Sequence, residues 1–359
     1  MKGLRKYLTP FAPDQSGAVS VLYELGGMLV ICDAGGCTGN VCGFDEPRWF
    51  ETRSAVFSAG LRDMDAILGR DDRLVAKLAD AAEKLDVTFA AVIGTPVPAV
   101  IGTDYRALER MLAKKTELPV LTVNTDGMEL YDKGEEKAYL ALFEKFSDKN
   151  EESEDMNDKD RLHIGIIGMT PQDVSDLKAA DKIRKVYADQ GMCAICYGMG
   201  DGLDEVRNAS LAAKNVVVSP AALKAAQYLQ KKFGTPYEIA YPLASELVPE
   251  VNYQGKKILI VQQQVIANAV RKEIEKRTGE KEEITTATWF MRKEEILTDL
   301  NVDAADDISL KEEDDFISLV EKEGYDVIFA DPCMERMIPG FEGTFIPLTH
   351  FAVSGKLNV

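Results

Sequence analysis

Short runs of β-branched and aliphatic residues alternate with longer amphipathic stretches along most of the chain. Ten runs predict strands, at 28–34, 89–95, 119–125, 162–169, 192–198, 215–220, 257–263, 284–290, 325–331 and 343–349. They are continuously apolar, as expected of parallel strands buried on both faces. Between them, DDRLVAKLADAAEKL, DYRALERMLAKKT, DVSDLKAADKIRKVYADQ, SPAALKAAQYLQKKFG and QVIANAVRKEIEKRTG carry helical periodicity. Strands alternating with helices imply an α/β fold of doubly wound parallel sheets.

Two stretches break the alternation. Residues 144–163 are charge-dense and nearly free of apolar side chains, which predicts a linker. Residues 248–257 carry turn formers just before a fresh strand. The chain is thus expected to form three Rossmann-like domains, at 1–148, 160–250 and 255–359. The acidic stretch 300–316 reads as a solvated loop and helix start.

Composition removes several function classes. No run of about eighteen uncharged apolar residues is present, so no membrane span is expected. The N-terminal segment has no apolar stretch of secretory length, which points to the cytoplasm. A net charge of -18 argues against nucleic acid, which is bound by clustered Lys and Arg. In a reducing compartment the six cysteines do not form a disulfide framework.

Candidate chemistry is sparse. There is no GxxxxGK[ST] loop for ATP, and neither GIIGMTPQD nor GMGDGLDE has the GxGxxG spacing of a dinucleotide site. His163 and His350 are the only histidines, too few for a histidine metal centre. Cys193 and Cys196 have CxxC spacing but fall inside a strand, where they point to opposite faces, and Cys32 lies in an apolar run. All three read as core residues. Cys333 follows a strand end and could face an inter-domain cleft. Glu46 and Arg48 could line a cavity or cap a helix, and Asp104 reads as an N-cap.

Cys37 and Cys42 differ, because they sit in a glycine-dense loop after a strand's carboxyl end, where open α/β sheets place ligands. Gly35, Gly36 and Gly39 would let the backbone approach a bulky group and aim N–H donors at anionic sulfurs. Iron–sulfur clusters take four ligands. One chain supplies two thiols here, and a symmetric dimer with the loop on its axis would supply four. Residue types alone leave buried thiols, a zinc corner and half of a shared cluster all open.

FSAGLRDMDAILGRDDRLVAKL (57–78), AAVIGTPVPAVIGTDYRAL (90–108) and PVLTVNTDGMELYDKGEEKA (119–138) resemble the first domain of nitrogenase component 1 proteins. That superfamily also holds cofactor-assembly scaffolds, dark-operative protochlorophyllide reductase and a nickel-tetrapyrrole reductase. DAGGC (33–37) is similar to the family's GPxGC, whose cysteine is a cluster ligand. The resemblance implies three Rossmann-like domains and puts Cys37 at a ligand position. The family's preceding cysteine falls near Asp14 and its later one at Thr95, while Cys42 is extra. Missing ligands exclude a standard eight-iron cluster. What the resemblance implies instead is a [4Fe–4S] cluster bridging two subunits of a homodimer, held by Cys37 and Cys42 of each. The same resemblance implies electron supply from a separate ATP-dependent iron-protein reductase. A non-catalytic scaffold or carrier for a cluster or tetrapyrrole is the alternative. His350 resembles no clear cofactor ligand and reads more simply as a hydrogen-bonded histidine at a domain junction.

Overall fold

A computed structural model describes residues 5–62, 71–148 and 162–358. Most of the predicted linker, at 149–161, and part of the first resemblance segment, at 63–70, lie outside the described residues.

Strands β1 (Met28–Ile31), β2 (Ala55–Ser58), β3 (Ala90–Ile93) and β4 (Val120–Val123) form the first sheet, in the order β2-β1-β3-β4. The second contains β5 (Leu162–Ile167), β6 (Met192–Tyr197), β7 (Lys214–Val217) and β8 (Tyr237–Ile239), ordered β6-β5-β7-β8. The third runs β11 (Asp307–Ser309), β10 (Glu283–Thr288), β9 (Lys257–Val261), β12 (Val327–Ala330) and β13 (Thr344–Pro347). Every ladder is parallel. In each sheet the first strand in sequence lies inside, so strand order reverses beside β1, β5 and β9. Ligands of open α/β sheets bind at the carboxyl ends of such strands.

The ten predicted runs all appear as strands. Three strands were not anticipated: β2, β8 and β11. All are sheet edges with only partial burial. An edge strand is not covered on both faces and so needs no continuous apolar run. β11 corrects the reading of 300–316 as solvated loop. Asp307 there is buried, and its carboxylate accepts from Asn268 Nδ2 at 3.0 Å, Thr286 Oγ1 at 2.9 Å and Arg292 Nε at 2.9 Å. A buried carboxylate with such partners is stable inside although its sequence looks solvated. The helix expected from 173 begins later, at Ala179–Ala188, because Ser175 adopts φ +59° and ends a preceding turn at Pro171–Val174.

Two helices position everything near β1. Asp14–Leu22 is buried all round, and it crosses Tyr131–Phe146 at close range. Gly17 and Gly134 permit that approach. A Cβ on Gly17 would stand 1.9 Å from the Tyr131 carbonyl oxygen, and one on Gly134 1.7 Å from that of Asp14. The helix Tyr131–Phe146 then reaches the second sheet, where Tyr139, Leu142 and Phe143 share one core with Ile167, Tyr197 and Leu223. The N-terminal segment ties to the third sheet's helices. Lys6, Tyr7 and Leu8 N–H groups donate to the Glu313 carboxylate, and Thr9 N–H to the Val353 carbonyl.

Candidate functional site

The loop after β1 turns sharply at Gly35, whose φ of +123° is open to glycine and closed to other residues. It continues as a short helix, Gly36–Asn40, and then a π turn, Val41–Asp45, closed by Glu46 N–H donating to the Val41 carbonyl at 2.9 Å. Single π turns often mark functional sites. Cys37 lies in the helix and Cys42 in the turn, both partly exposed. Gly36 and Gly39 are exposed, and a Cβ on either would meet nothing within 4 Å.

Side chains pin this loop from below. The buried Asp33 accepts from Thr38 N–H at 2.8 Å, Thr38 Oγ1 at 3.0 Å and Ser58 Oγ at 2.6 Å. Asp45 accepts from Ser16 Oγ at 2.6 Å and Asn40 Nδ2 at 2.7 Å. Gln172 Nε2, from the second unit, donates to the Asp45 carbonyl at 2.5 Å. Arg48 is buried against Glu46 at 2.8 and 2.7 Å, Glu24 at 2.9 Å, and the Ser20 and Gly198 carbonyls. So Glu46 and Arg48 form an anchoring ion pair in which Glu46 also caps the turn at Pro47–Phe50. Asp33 and Asp45 were not singled out from sequence. An acidic residue just past a strand, five before a threonine, is the only signal Asp33 gave.

Of the other cysteines, Cys193 is only partly buried, unlike the core position expected of it, and the remaining three are core or near-core groups. Cys32 and Cys196 are buried, and burial pushes each thiol up to about 12. Cys333 packs partly buried on the third unit's core, its thiol pushed up by burial and by the adjacent Asp331. Burial also raises the Cys37 and Cys42 thiols, with Asp33 and Glu46 respectively adding to the effect.

The two positions where the resemblance lacks a cysteine are closed. Thr95 is buried and donates to the Cys32 carbonyl at 2.6 Å. Asp14 is buried, and its carboxylate accepts from Gly127 N–H at 2.8 Å, Asp126 N–H at 3.1 Å and Lys137 Nζ at 3.3 Å. Both oxygens of Asp14 are committed to holding the chain, which argues against a ligand role. Among the described residues, no group of three or more His, Cys, Asp or Glu side chains could hold a metal ion. The described residues of one chain therefore do not supply the four ligands of a cluster. Two thiols on an accessible loop with open glycine surfaces fit half of one.

His350 is distant in sequence and sits where the three units meet. It is buried, with Nε2 3.4 Å from Tyr131 Oη and 3.7 Å from Asp173 Oδ1, and Phe290 edge-on at 5.1 Å. Tyr131 Oη donates to Asp173 Oδ1 at 2.5 Å. Glu135 accepts from Thr170 Oγ1 at 2.6 Å, while burial and the nearby Asp173 push its carboxyl well above the usual range. Asp104 caps the helix Tyr105–Thr116, accepting from Ala107 N–H at 3.0 Å.

A family model described as nitrogenase component 1 type oxidoreductase matches residues 14–243, more than half of the chain. The chain belongs to that family. The fold extends the likeness past the matched residues. "Nitrogenase Cp1 at pH 6.5" superposes with a TM-score of 0.70 at 13% identity, covering 97% of this chain and 87% of that one. "Nitrogenase Cp1 at pH 5" gives 0.69 at 15% identity, with 98% and 85% covered. No curated protein matches in sequence. Among the described residues no helix is long and apolar enough to cross a membrane.

Proposed function

We propose that this nitrogenase component 1-type protein is an oxidoreductase subunit whose Cys37 and Cys42 hold half of a [4Fe–4S] cluster, completed by the same residues of a second chain. The observation that carries this reading is the β1 loop itself. It is anchored by Asp33, Asp45 and Arg48, yet presents two partly exposed thiols beside unobstructed glycines at a point of strand-order reversal. Exposed Phe44 on the same loop supports coverage by a second chain, as do Val100 and Ile101 after β3 and Met128 after β4.

The bound cluster would supply one-electron transfer between an ATP-dependent iron protein and a substrate. The chain's residues position and tune that site. Gly36 and Gly39 allow close backbone approach, and Asp33 fixes the loop's angle to the sheet. Absence of an ATP loop fits a partner that carries the nucleotide chemistry.

Anaerobic purification with iron and sulfide analysis, and EPR of wild type and Cys37→Ser, tests the proposal. A brown dimer with about one four-iron cluster is expected, lost on substitution. A colourless protein that takes up no iron on reconstitution would refute it.

A further inference from the structure

The third unit carries a groove of about 540 Å³ between the helix Gln264–Thr278 and the turn that follows the helix Glu294–Leu300. Arg271 forms part of its lining, although the residue is only 5% exposed. Its Nη2 donates to the Asp306 carbonyl at 2.6 Å and to Thr286 Oγ1 at 3.2 Å. Among the described residues Nη1 has no hydrogen-bond partner and, unlike the orphaned Nε, it is not sealed from solvent. No described carboxylate lies within 4.0 Å of the guanidinium. Asp307 is spent on Asn268, Thr286 and Arg292, and burial outweighs the attraction of Asp306, Asp307 and Glu275, lowering the Arg271 pKa. A buried charge is ordinarily paired, and one left unpaired is costly.

The rest of the lining adds to that charge. Lys272 and Lys281 are exposed and make no ion pair among the described residues, while Lys276 is held by Glu273 at 3.3 Å. Three acids share the wall. Asp303 caps the Ala305 N–H at 2.9 Å, and Glu275 and Glu280 make no ion pair among the described residues. Carbonyls at helix C-termini repel anions. Here they are covered, by Gly279 N–H on Glu275 and by Asn301 and Val302 N–H on Thr298 and Leu297. Three unpaired cations thus face two unpaired acids, in a chain whose net charge is -18. Of the three, Arg271 is the one that cannot swing out into water.

We infer that this groove binds a phosphate group, with Arg271 Nη1 as the buried donor and Lys272 and Lys281 closing on the remaining oxygens. Guanidinium and ammonium groups make their strongest hydrogen bonds to such oxygens. Three unpaired cations suit a dianion better than the single charge of a carboxylate. The groove has the volume of a small-molecule site, with room for an ester on that phosphate. It lies within the third unit and depends neither on the cluster nor on a second chain.

Isothermal titration of the whole protein in low-salt buffer tests it. Inorganic phosphate and glucose 6-phosphate should each bind at one site per chain, and the tighter of the two tells free phosphate from a monoester. Acetate should bind at least about tenfold more weakly. Lys272→Met and Lys281→Met should each weaken inorganic phosphate about threefold. Glu275→Gln should strengthen it by about as much, because a like charge leaves the wall. Arg271→Gln should weaken it at least about thirtyfold. Should that buried variant fail to fold, the other three still decide, since Lys272 and Lys281 are exposed and Glu275 is half-buried. Lys77→Met, exposed on the first unit, should change nothing. The inference is overturned if inorganic phosphate does not saturate at one site, or if acetate binds as tightly. It is overturned too if Lys272→Met and Lys281→Met leave the affinity unchanged, if Glu275→Gln fails to raise it, or if Lys77→Met lowers it equally.

Discussion

The β1 loop and the three-unit junction are built from similar polar residues and end in opposite states. At the junction, Tyr131 and Glu135 from one helix meet Asp173 and His350 from the other two units, all of them buried and each with a neighbour in reach. At the loop, Asp33 and Asp45 are spent on holding the backbone, while Cys37, Cys42, Gly36 and Gly39 are left open. The difference separates polar groups that serve the fold from polar groups that await something outside it. The buried network finds its partners within the chain, Glu135 Oε2 apart. On the proposed reading, the anchored loop with its partly exposed thiols is completed by a cluster and a second chain.

The largest effect should come from the loop. Cys37→Ser combined with Cys42→Ser is expected to abolish iron and sulfide content, from about one four-iron cluster per dimer to none. Thermal unfolding of the iron-free protein should stay within about 0.5 kcal/mol of wild type, because both side chains are partly exposed. Equal iron content in the double variant would break the comparison outright. At the other region, Gly134→Ala should destabilise by at least about 3 kcal/mol, since the new methyl would overlap the Asp14 carbonyl and part the two helices. Denaturant midpoints with an unchanged slope would measure it. A loss below about 1 kcal/mol would mean that the helices are not fixed at this distance.

The two regions were unequally readable in advance. Interior strands, the five helical stretches and the glycine–cysteine loop all stood out, because burial on both faces forces apolar runs and tight turns force glycine. Edge strands β2, β8 and β11 did not, because nothing requires them to be apolar throughout. The junction was readable only in part: His350 was expected at a domain junction, but its partners there were not. Tyr131, Asp173 and His350 meet only through the packing of separate units, and no spacing along the chain encodes that. Asp14 and Thr95 were placed by resemblance to the family's ligand positions. Their hydrogen bonds to backbone groups show them occupied in holding the fold.

A pH series sharpens the contrast on the buried side. Burial raises Asp132 to about 6, although the Met291 and Lys133 N–H groups favour its charged form. Unfolded, the same group titrates near about 3.9. Between those values the folded chain holds a proton that the unfolded chain has released. The stability contributed by this group is therefore present below about pH 4 and is lost as pH rises through about 6, by on the order of 2–3 kcal/mol. Asp132→Asn should remove that slope, so the stability difference between variant and wild type should change over this window and stay constant above it. Parallel stability curves for the two proteins would contradict the assignment.

The smallest effect distinguishes an empty glycine from a waiting one. Gly39 lies inside a short helix with no atom near its missing Cβ. On the isolated chain, Gly39→Ala should therefore raise stability by about 0.5–1 kcal/mol, through helix propensity and reduced unfolded-state freedom. If the glycine serves close approach to a cluster, the same variant should retain less iron than wild type after identical reconstitution, despite being more stable. A gain in stability with unchanged iron would make Gly39 incidental and confine the site to the two thiols. A gain in one property and a loss in the other is the expected mark of a surface shaped for a ligand rather than for the chain's own packing.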